Sequence, residues 1–521
     1  MGQDEVMRVV KRPGLSLEYT RSGFGGGMWA GGWAVFYTPV EGGFTGNLYF
    51  AGTLIASLGA YAGAYNPSRF FTFEYVATGL QTNTLMLQDT YSVWTYDLVA
   101  GLRSVPLANT TSGPITCSIT HNSPVVTTVS TEAIRKYSLV TGTGIPANTT
   151  VASIDSATQF TLSADATATN ATASLTLTYA GPFGGNGLPG PSLLAGPSRF
   201  APGVVHLNNA AFLFGTQAAI SNSDVNDPYA WEPLSFIYAY AELDKAVALS
   251  KNLSYIVAFK QQSTEFFRDV GASPGSPLER LEGLRLAVGC YAPRAVTVVD
   301  GTVMWVSVTE SGIRSVFRLD NTKATEIATP AIRRVLERVN ITYGISFSIA
   351  GHSFYVITDP VAKLSLVYDL TSNFWSYWDA FGSGYFPFVS AVSDGTTTLL
   401  QHESNGKVYR LDPTLVTDEG ANFTLDVYPP QFDGSMRIAK YLSRMYVLAD
   451  QEPGSRLLVR TSDDDQLQRT WTQFREIDLG SSRPDLYDLG TFTKRWFHFR
   501  HEGAAPCRLI AVELEVLACT L

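Results

Sequence analysis

Only a few residues in this 521-residue chain have the type and spacing to do chemistry. Glu265, Asp269 and Asp369 stand at the ends of apolar, alternating segments. A glycosidase needs two such carboxyls about 5–9.5 Å apart across a sugar cleft, one as acid and one as base or nucleophile. Asp and Glu at turns also serve simply to bond the turn backbone, which is their ordinary use. Nucleophile and phosphate signatures are missing: there is no GxSxG, HExxH or Walker A pattern, and only six His. The expectation is a protein without catalytic, cofactor-binding or metal-ligating residues, and not an enzyme.

Two glycine- and acid-rich stretches need separate treatment. Gly23-Phe24-Gly25-Gly26-Gly27 resembles a phosphate loop, but no βαβ unit surrounds it, so a flexible turn is expected. Ser462-Asp463-Asp464-Asp465, followed by Thr470-Trp471, is similar to the Asp-box turn of propellers and sialidases, with longer spacing and no Gly. An EF-hand is excluded, because its loop needs Gly at position six. A structural hairpin is expected there, with a Ca²⁺ site the lesser alternative.

Composition narrows the class. Charged residues make up 16% of the chain, against roughly 25% in ordinary soluble domains, while Gly, Thr and aromatics are abundant. Such a chain suits β structure with much surface hidden in contacts. Its net charge is −9 and no Lys/Arg run exceeds two, which argues against sequence-specific nucleic-acid binding. Cys117, Cys290, Cys507 and Cys519 stand far apart without metal spacing and are expected as buried or free thiols. The acidic start leads into no apolar signal region, so no secretion is expected, and the six N-x-[ST] sequons (Asn109, Asn148, Asn170, Asn252, Asn340, Asn422) are coincidental. The uncharged stretch Gly42–Ser68 is broken by Gly, Ser, Asn and Tyr; a buried or interface β segment is expected, a membrane-inserting element being the lesser alternative.

The elements that would position these groups repeat. A turn residue followed by an alternating strand begins at Asn208, Asn252, Gly301, Gly351 and Gly395, with successive starts 44, 49, 50 and 44 residues apart. Strands ending in an acid, at Asp320, Asp369 and Asp412, keep the same period at 49 and 43. Periods of about 40–50 residues with several strands each are those of propeller blades. Sites near Asn47 and Asn83 are candidates for earlier blades. One helix is predicted from Thr329-Pro330, with Ile332, Val335, Leu336 and Val339 on its apolar face.

The fold class expected is therefore mainly β: a propeller with an inserted small β-sandwich and a C-terminal β domain. Residues 1–112 hold an N-terminal β segment and the first blades, and the Thr-rich, charge-poor 113–180 is the inserted module. The main blades run over 181–430, opening with a Gly/Pro-rich loop at 181–203, and 431–521 form the C-terminal domain.

The order of several further motifs carries a resemblance. They are Lys11-Arg12-Pro13-Gly14-Leu15, Asp227-Pro228-Tyr229-Ala230-Trp231-Glu232-Pro233-Leu234 and Thr264-Glu265-Phe266-Phe267-Arg268-Asp269-Val270-Gly271. Gly289-Cys290-Tyr291-Ala292-Pro293-Arg294, Ile327–Ile332, Tyr368-Asp369 leading to Trp375, the Ser462–Asp464 hairpin and Leu489-Gly490 to Arg495-Trp496-Phe497 follow. Together they resemble the tail nozzle proteins of short-tailed bacteriophages (podoviruses), also called packaged-DNA stabilisation or tail tubular proteins. The resemblance implies a structural virion protein without cofactors, made in the host bacterial cytoplasm and placed in the virion tail. Six copies would form a ring below the portal–adaptor complex that retains packaged double-stranded DNA and conducts it out during infection. Its implied partners are its own copies as a homohexamer, the head-to-tail adaptor, tail spikes or fibres, and genomic DNA passing without sequence recognition or stable membrane insertion. Nothing of this role extends to the insert. An acidic wall fits independently, since duplex DNA carries one charge per ≈1.7 Å and a conduit must not hold it. One of two charge-poor stretches, Gly181–Pro202 or Gly42–Ser68, is expected to narrow the channel or touch a neighbour. The alternative is a receptor-binding or glycan-degrading propeller at the tail periphery.

Overall fold

A computed structural model describes residues 9–62, 72–77, 83–89, 92–98, 101–105, 110–179, 181, 200–215, 217–309, 311–435, 438–464 and 470–519. Among them are seven four-stranded antiparallel blades of a propeller. Blades 1 to 6 span 24–62, 72–105, 200–238, 246–286, 297–326 and 343–377. Blade 7 takes three strands from 388–412 and its fourth, Gly14–Thr20, from the start of the chain.

Packing explains why so many strands are apolar on both faces. Each blade is pressed between two others, and a separate hydrophobic cluster fills every gap between neighbouring blades. Ala210–Gly215 of blade 3 is buried at all six positions for this reason. A strand covered on both sides reads as a continuous apolar run rather than an alternation. Met28, Ala34 and Phe36 of blade 1 meet Val408 of blade 7, which closes the ring.

The 44–50-residue period is the blade repeat. Its turns join the first two strands of a blade, where a two-residue loop needs φ > 0 at both positions. Asn208 (φ 47°) and Asn209 (φ 61°), Asp300 (48°) and Gly301 (71°), and Ala350 (52°) and Gly351 (81°) meet that need. Asp320, Asp369 and Asp412 end the third strands of blades 5, 6 and 7. Asn83 begins the second strand of blade 2, but Asn47 lies inside the third strand of blade 1, whose corresponding turn is Gly31-Gly32.

The helix, Pro330–Leu336, links blades 5 and 6. Thr329 caps its start, and Ile332 and Leu336 enter the cluster between those blades. Residues 42–62 are β structure, as expected: they hold the paired outer strands Gly43–Phe50 and Thr53–Ala62 of blade 1, which does not fit a loop that narrows a channel; 63–68 lie outside the described residues. The Gly/Pro-rich stretch at 181–203 is described only at 181 and 200–203, the latter already within the inner strand of blade 3. No helix among the described residues is long and apolar enough to cross a membrane.

Two modules flank the propeller. The insert, 110–179, is one six-stranded sheet folded over its own core (Val126, Phe160, Leu175, Leu177), with its edges meeting at Leu139 and Thr150. The C-terminal module is a sandwich of two four-stranded sheets whose first strand, Leu425–Val427, starts six residues before the expected boundary. Val9–Val10 adds to its edge by pairing with Arg508 and Leu509.

Candidate functional site

The innermost strands of a propeller converge, so their side chains decide what the axis admits. Six of the seven blades line an axial cavity of about 300 Å³. Its walls are Gly27–Trp29, Gly203–Val205, Leu249–Lys251, Val296–Val298 with Arg294, Gly344–Ser346 and Val389–Ala391. The charged groups in this wall, Lys251 and Arg294, are both cations. Arg294 is 6% exposed and rests over the Tyr343 ring, and Lys251 Nζ donates to the His206 carbonyl. This space suits a few waters or a small anion; a nucleic-acid duplex cannot thread it.

Ring closure is where the glycine run acts. Residues 24–29 form the inner strand of blade 1, correcting the expected flexible turn. A Cβ on Gly25 would stand 2.6 Å from the His402 carbonyl oxygen and 2.7 Å from Val389. Bare backbone therefore lets the first blade lie against the last. Gln401 of blade 7, fully buried, then bridges the seam: its Oε1 accepts from Gly27 N–H (2.8 Å) and its Nε2 donates to the Val35 carbonyl (2.9 Å). The Ser390 hydroxyl accepts from Met28 N–H.

The Lys11-Arg12-Pro13-Gly14 motif forms a clasp. After Val9–Val10 pairs with the C-terminal module, Lys11 Nζ donates to the Gly503 carbonyl at 2.8 Å, and burial lowers the Lys11 pKa. Arg12 makes a forked pair with Asp418 (2.5 and 3.0 Å; side chains 6% and 1% exposed) and lies 3.8 Å above the Phe423 ring. Gly14–Thr20 then completes blade 7, with Leu15 in the core against blade 6. Residues 9–20 thus tie sandwich and propeller together.

Asp227–Leu234 plugs the junction of blade 2, insert and blade 3. Trp231 is fully buried beside Val105, Tyr179 and Phe200, and its Nε1–H is satisfied by the Pro228 carbonyl. Tyr229 donates to Asp97 of blade 2. Asp224 latches the insert, accepting from Lys136 Nζ (2.5 Å) and the Tyr137 hydroxyl (2.8 Å). Burial is the largest single influence and works against the Lys136 charge, but the hydrogen bonds and charges of Asp224 and Tyr137 together outweigh it and raise the pKa.

The acids named from the sequence do not come together. Glu265, 1% exposed, pairs with the fully buried Lys260 at 2.6 Å. Asp269, four residues along the same strand and so about 13 Å away, accepts from Asn208 and the Gly271 N–H. Asp369, in blade 6, accepts from the Thr371 N–H and Ser372 and bonds His352. Asp463 is held by a forked pair with Arg495 (2.7 Å twice), which puts a guanidinium where a cation would sit; Asp465 lies outside the described residues. Trp471 packs on Tyr428 and His498. No cluster of three or more His, Cys, Asp or Glu fit for a metal occurs among the described residues.

The sequence does not mark Gln401 or Asp418, whose partners lie in the next blade or some 400 residues away, nor Lys260, whose partner Glu265 is on the adjacent strand. The one local signal was a Lys closing the apolar run Tyr255–Lys260.

Comparison with known proteins gives one sequence match. The family described as bacteriophage P22 Gp10, beta-propeller, matches residues 109–416, taking in the insert and the blades from 3 onward. No curated protein matches. Similar solved structures include BamB from Moraxella catarrhalis, 9% identical over 78% of this chain and 100% of that one, at a TM-score of 0.34. The WD40 domain of Toxoplasma gondii coronin is 8% identical over 78% and 85%, at 0.35. A computationally designed protein, Ika8, is 10% identical over 77% and 99%, at 0.34.

Proposed function

The chain belongs to the bacteriophage P22 Gp10 beta-propeller family and is a structural protein of the phage tail, and from this premise we propose that it forms the tail nozzle. In this reading, copies assemble as a homohexameric ring below the portal–adaptor complex of a podovirus. The ring holds packaged double-stranded DNA and conducts it out at infection. Its neighbours are the adaptor above and spikes or fibres at its side, and it turns over no substrate.

The observation that carries the reading is the clasp. A subunit retaining pressurised DNA must not open under pull. Here the strand that closes the propeller is the one anchored in the sandwich through Lys11 and the buried Arg12–Asp418 pair. Pull applied to either module bears on the other. The narrow axis supports a second point: DNA passes between copies, through a lumen that the ring encloses, rather than through a propeller. Identical head-to-tail contacts close such a ring when their rotation is right. A net charge of −9 limits adhesion of the passing polymer.

The test is an ejection assay on particles carrying Arg12→Ala. The reading expects DNA to leak from filled heads on warming while wild type retains it. Full retention with a demonstrably loosened clasp contradicts it.

A further inference from the structure

The outer strand of blade 4, Leu278–Leu286, does not follow its neighbour evenly. Arg285 faces Glu265 and Arg280 faces Phe267, so the four residues 281–284 stand opposite Phe266 alone. The slack chain, turning at Gly283 (φ 87°), walls a cavity of about 240 Å³ together with Ala241. Glu265 lines the same cavity. Its Oε1 is served by Lys260 Nζ (2.6 Å) and the Ala241 N–H (3.1 Å), whereas its buried Oε2 has no hydrogen-bond partner.

Nothing nearby is placed to serve that oxygen. Lys260 has three N–H donors, and they go to Glu265, Asp244 (2.8 Å) and the Glu242 carbonyl (2.7 Å). Arg285 pairs with Glu242, and Arg280 with Glu282. Asp244 is satisfied by Lys260, the Gln262 and Ser263 N–H groups and the Ser263 hydroxyl. Glu265, buried, and Asp244, whose side chain is 11% exposed, share one ammonium, which leaves one negative charge in excess. A buried carboxylate oxygen without a donor is costly, and a cationic donor removes both deficits.

We propose that this cavity is a socket for a lysine side chain presented by a neighbouring protein. Lysine fits better than arginine, because one free oxygen offers a point contact and not the two-oxygen edge a guanidinium prefers. Leu281 and Leu284 would line its four-carbon stem. A protein partner is indicated by the rim. Leu284, 38% exposed, lies in the wall itself, and Tyr240, 61% exposed, lies under the Arg280 guanidinium of the same wall, so open apolar surface adjoins the charged cavity.

The lysine chemistry is tested on the full chain by saturation-transfer NMR with n-butylammonium, using n-butanol as the neutral control. Expected is saturable amine binding, with the alcohol at least about tenfold weaker. Ala241→Leu, which plugs the mouth without touching the ion cluster, abolishes it, and Glu265→Gln removes the preference for the amine. If Glu265→Gln does not fold, Ala241→Leu decides. Equal binding of amine and alcohol, no saturable amine binding, or undiminished binding by Ala241→Leu overturns the proposal. In a density map of the assembled tail, a neighbour's lysine in the cavity supports it, and a socket filled only by water overturns the docking.

Discussion

Arg12 and Asp418 lie 406 positions apart and meet with almost no access to water. Removing one member of such a pair leaves the other charge buried alone, which costs about 3–5 kcal/mol, whereas replacing both by apolar groups is far milder. Arg12→Ala is therefore expected to lower the urea midpoint strongly, and Arg12→Met with Asp418→Leu to restore most of it. Equal losses in the single and double variants would show that the ion pair itself contributes little. A second residue sets a pH dependence. His501 is fully buried, bonds the Ser455 hydroxyl, and is held neutral, its pKa lowered to about 4 first by burial and then by Lys11. The unfolded chain takes up that proton near 6.5. Stability is thus complete above pH 6.5 and declines as pH falls toward 4, by about 3 kcal/mol for a shift of this size. His402, also lowered to about 4 by burial, acts in the same direction. Denaturant titrations across pH 7.5–4.5 should show that decline, and His501→Gln should flatten part of it; an unchanged profile in His501→Gln contradicts the assignment.

At the scale of elements, the ring seam is where sequence and structure are most tightly coupled. Gly25 has no room for a side chain, so Gly25→Val is expected to cost about 1–3 kcal/mol by prising blade 1 from blade 7. Hydrogen exchange should then rise in Trp33–Val40 and Thr398–His402 ahead of the blades opposite. Uniform exchange across all blades would argue against a local seam. The same residues show what could be read in advance. Two-residue turns favour Asn, Asp or Gly, so blades 3, 5 and 6 are announced by Asn208, Gly301 and Gly351. The glycines at 23–27 read as a turn because glycine permits close approach as readily as bending, and only the packed partner distinguishes the two. Gly14–Thr20 belongs to blade 7, almost 400 residues away in sequence, and no periodicity reveals such a pairing. The carboxylates were legible as residue types but not as neighbours. Glu265 reads as a strand-end acid, and its partner Lys260 lies on the adjacent strand with no mark of pairing.

For the whole molecule, the insert is the part most separable from the rest. Its core is self-contained, and it is latched to the propeller chiefly through Asp224 and Tyr179. Replacing 112–177 by a short Gly/Ser linker should leave the seven-bladed propeller folded, at a cost of about 1 kcal/mol for the partly exposed latch. Far-UV circular dichroism and the unfolding midpoint check this; collapse of the propeller would mean the insert is part of its core. The composition now has a structural counterpart as well. A chain with seven blade-to-blade cores needs few charges inside, and exposed apolar side chains such as Tyr240 and Leu243 are available to neighbours. The most direct measurement of the central claim is cryo-electron microscopy of the native particle. The account predicts six copies on the tail axis, enclosing a duplex-wide lumen between them, with every propeller axis off that lumen. Copies placed singly or in threes away from the axis, or DNA density running through a propeller, would contradict it.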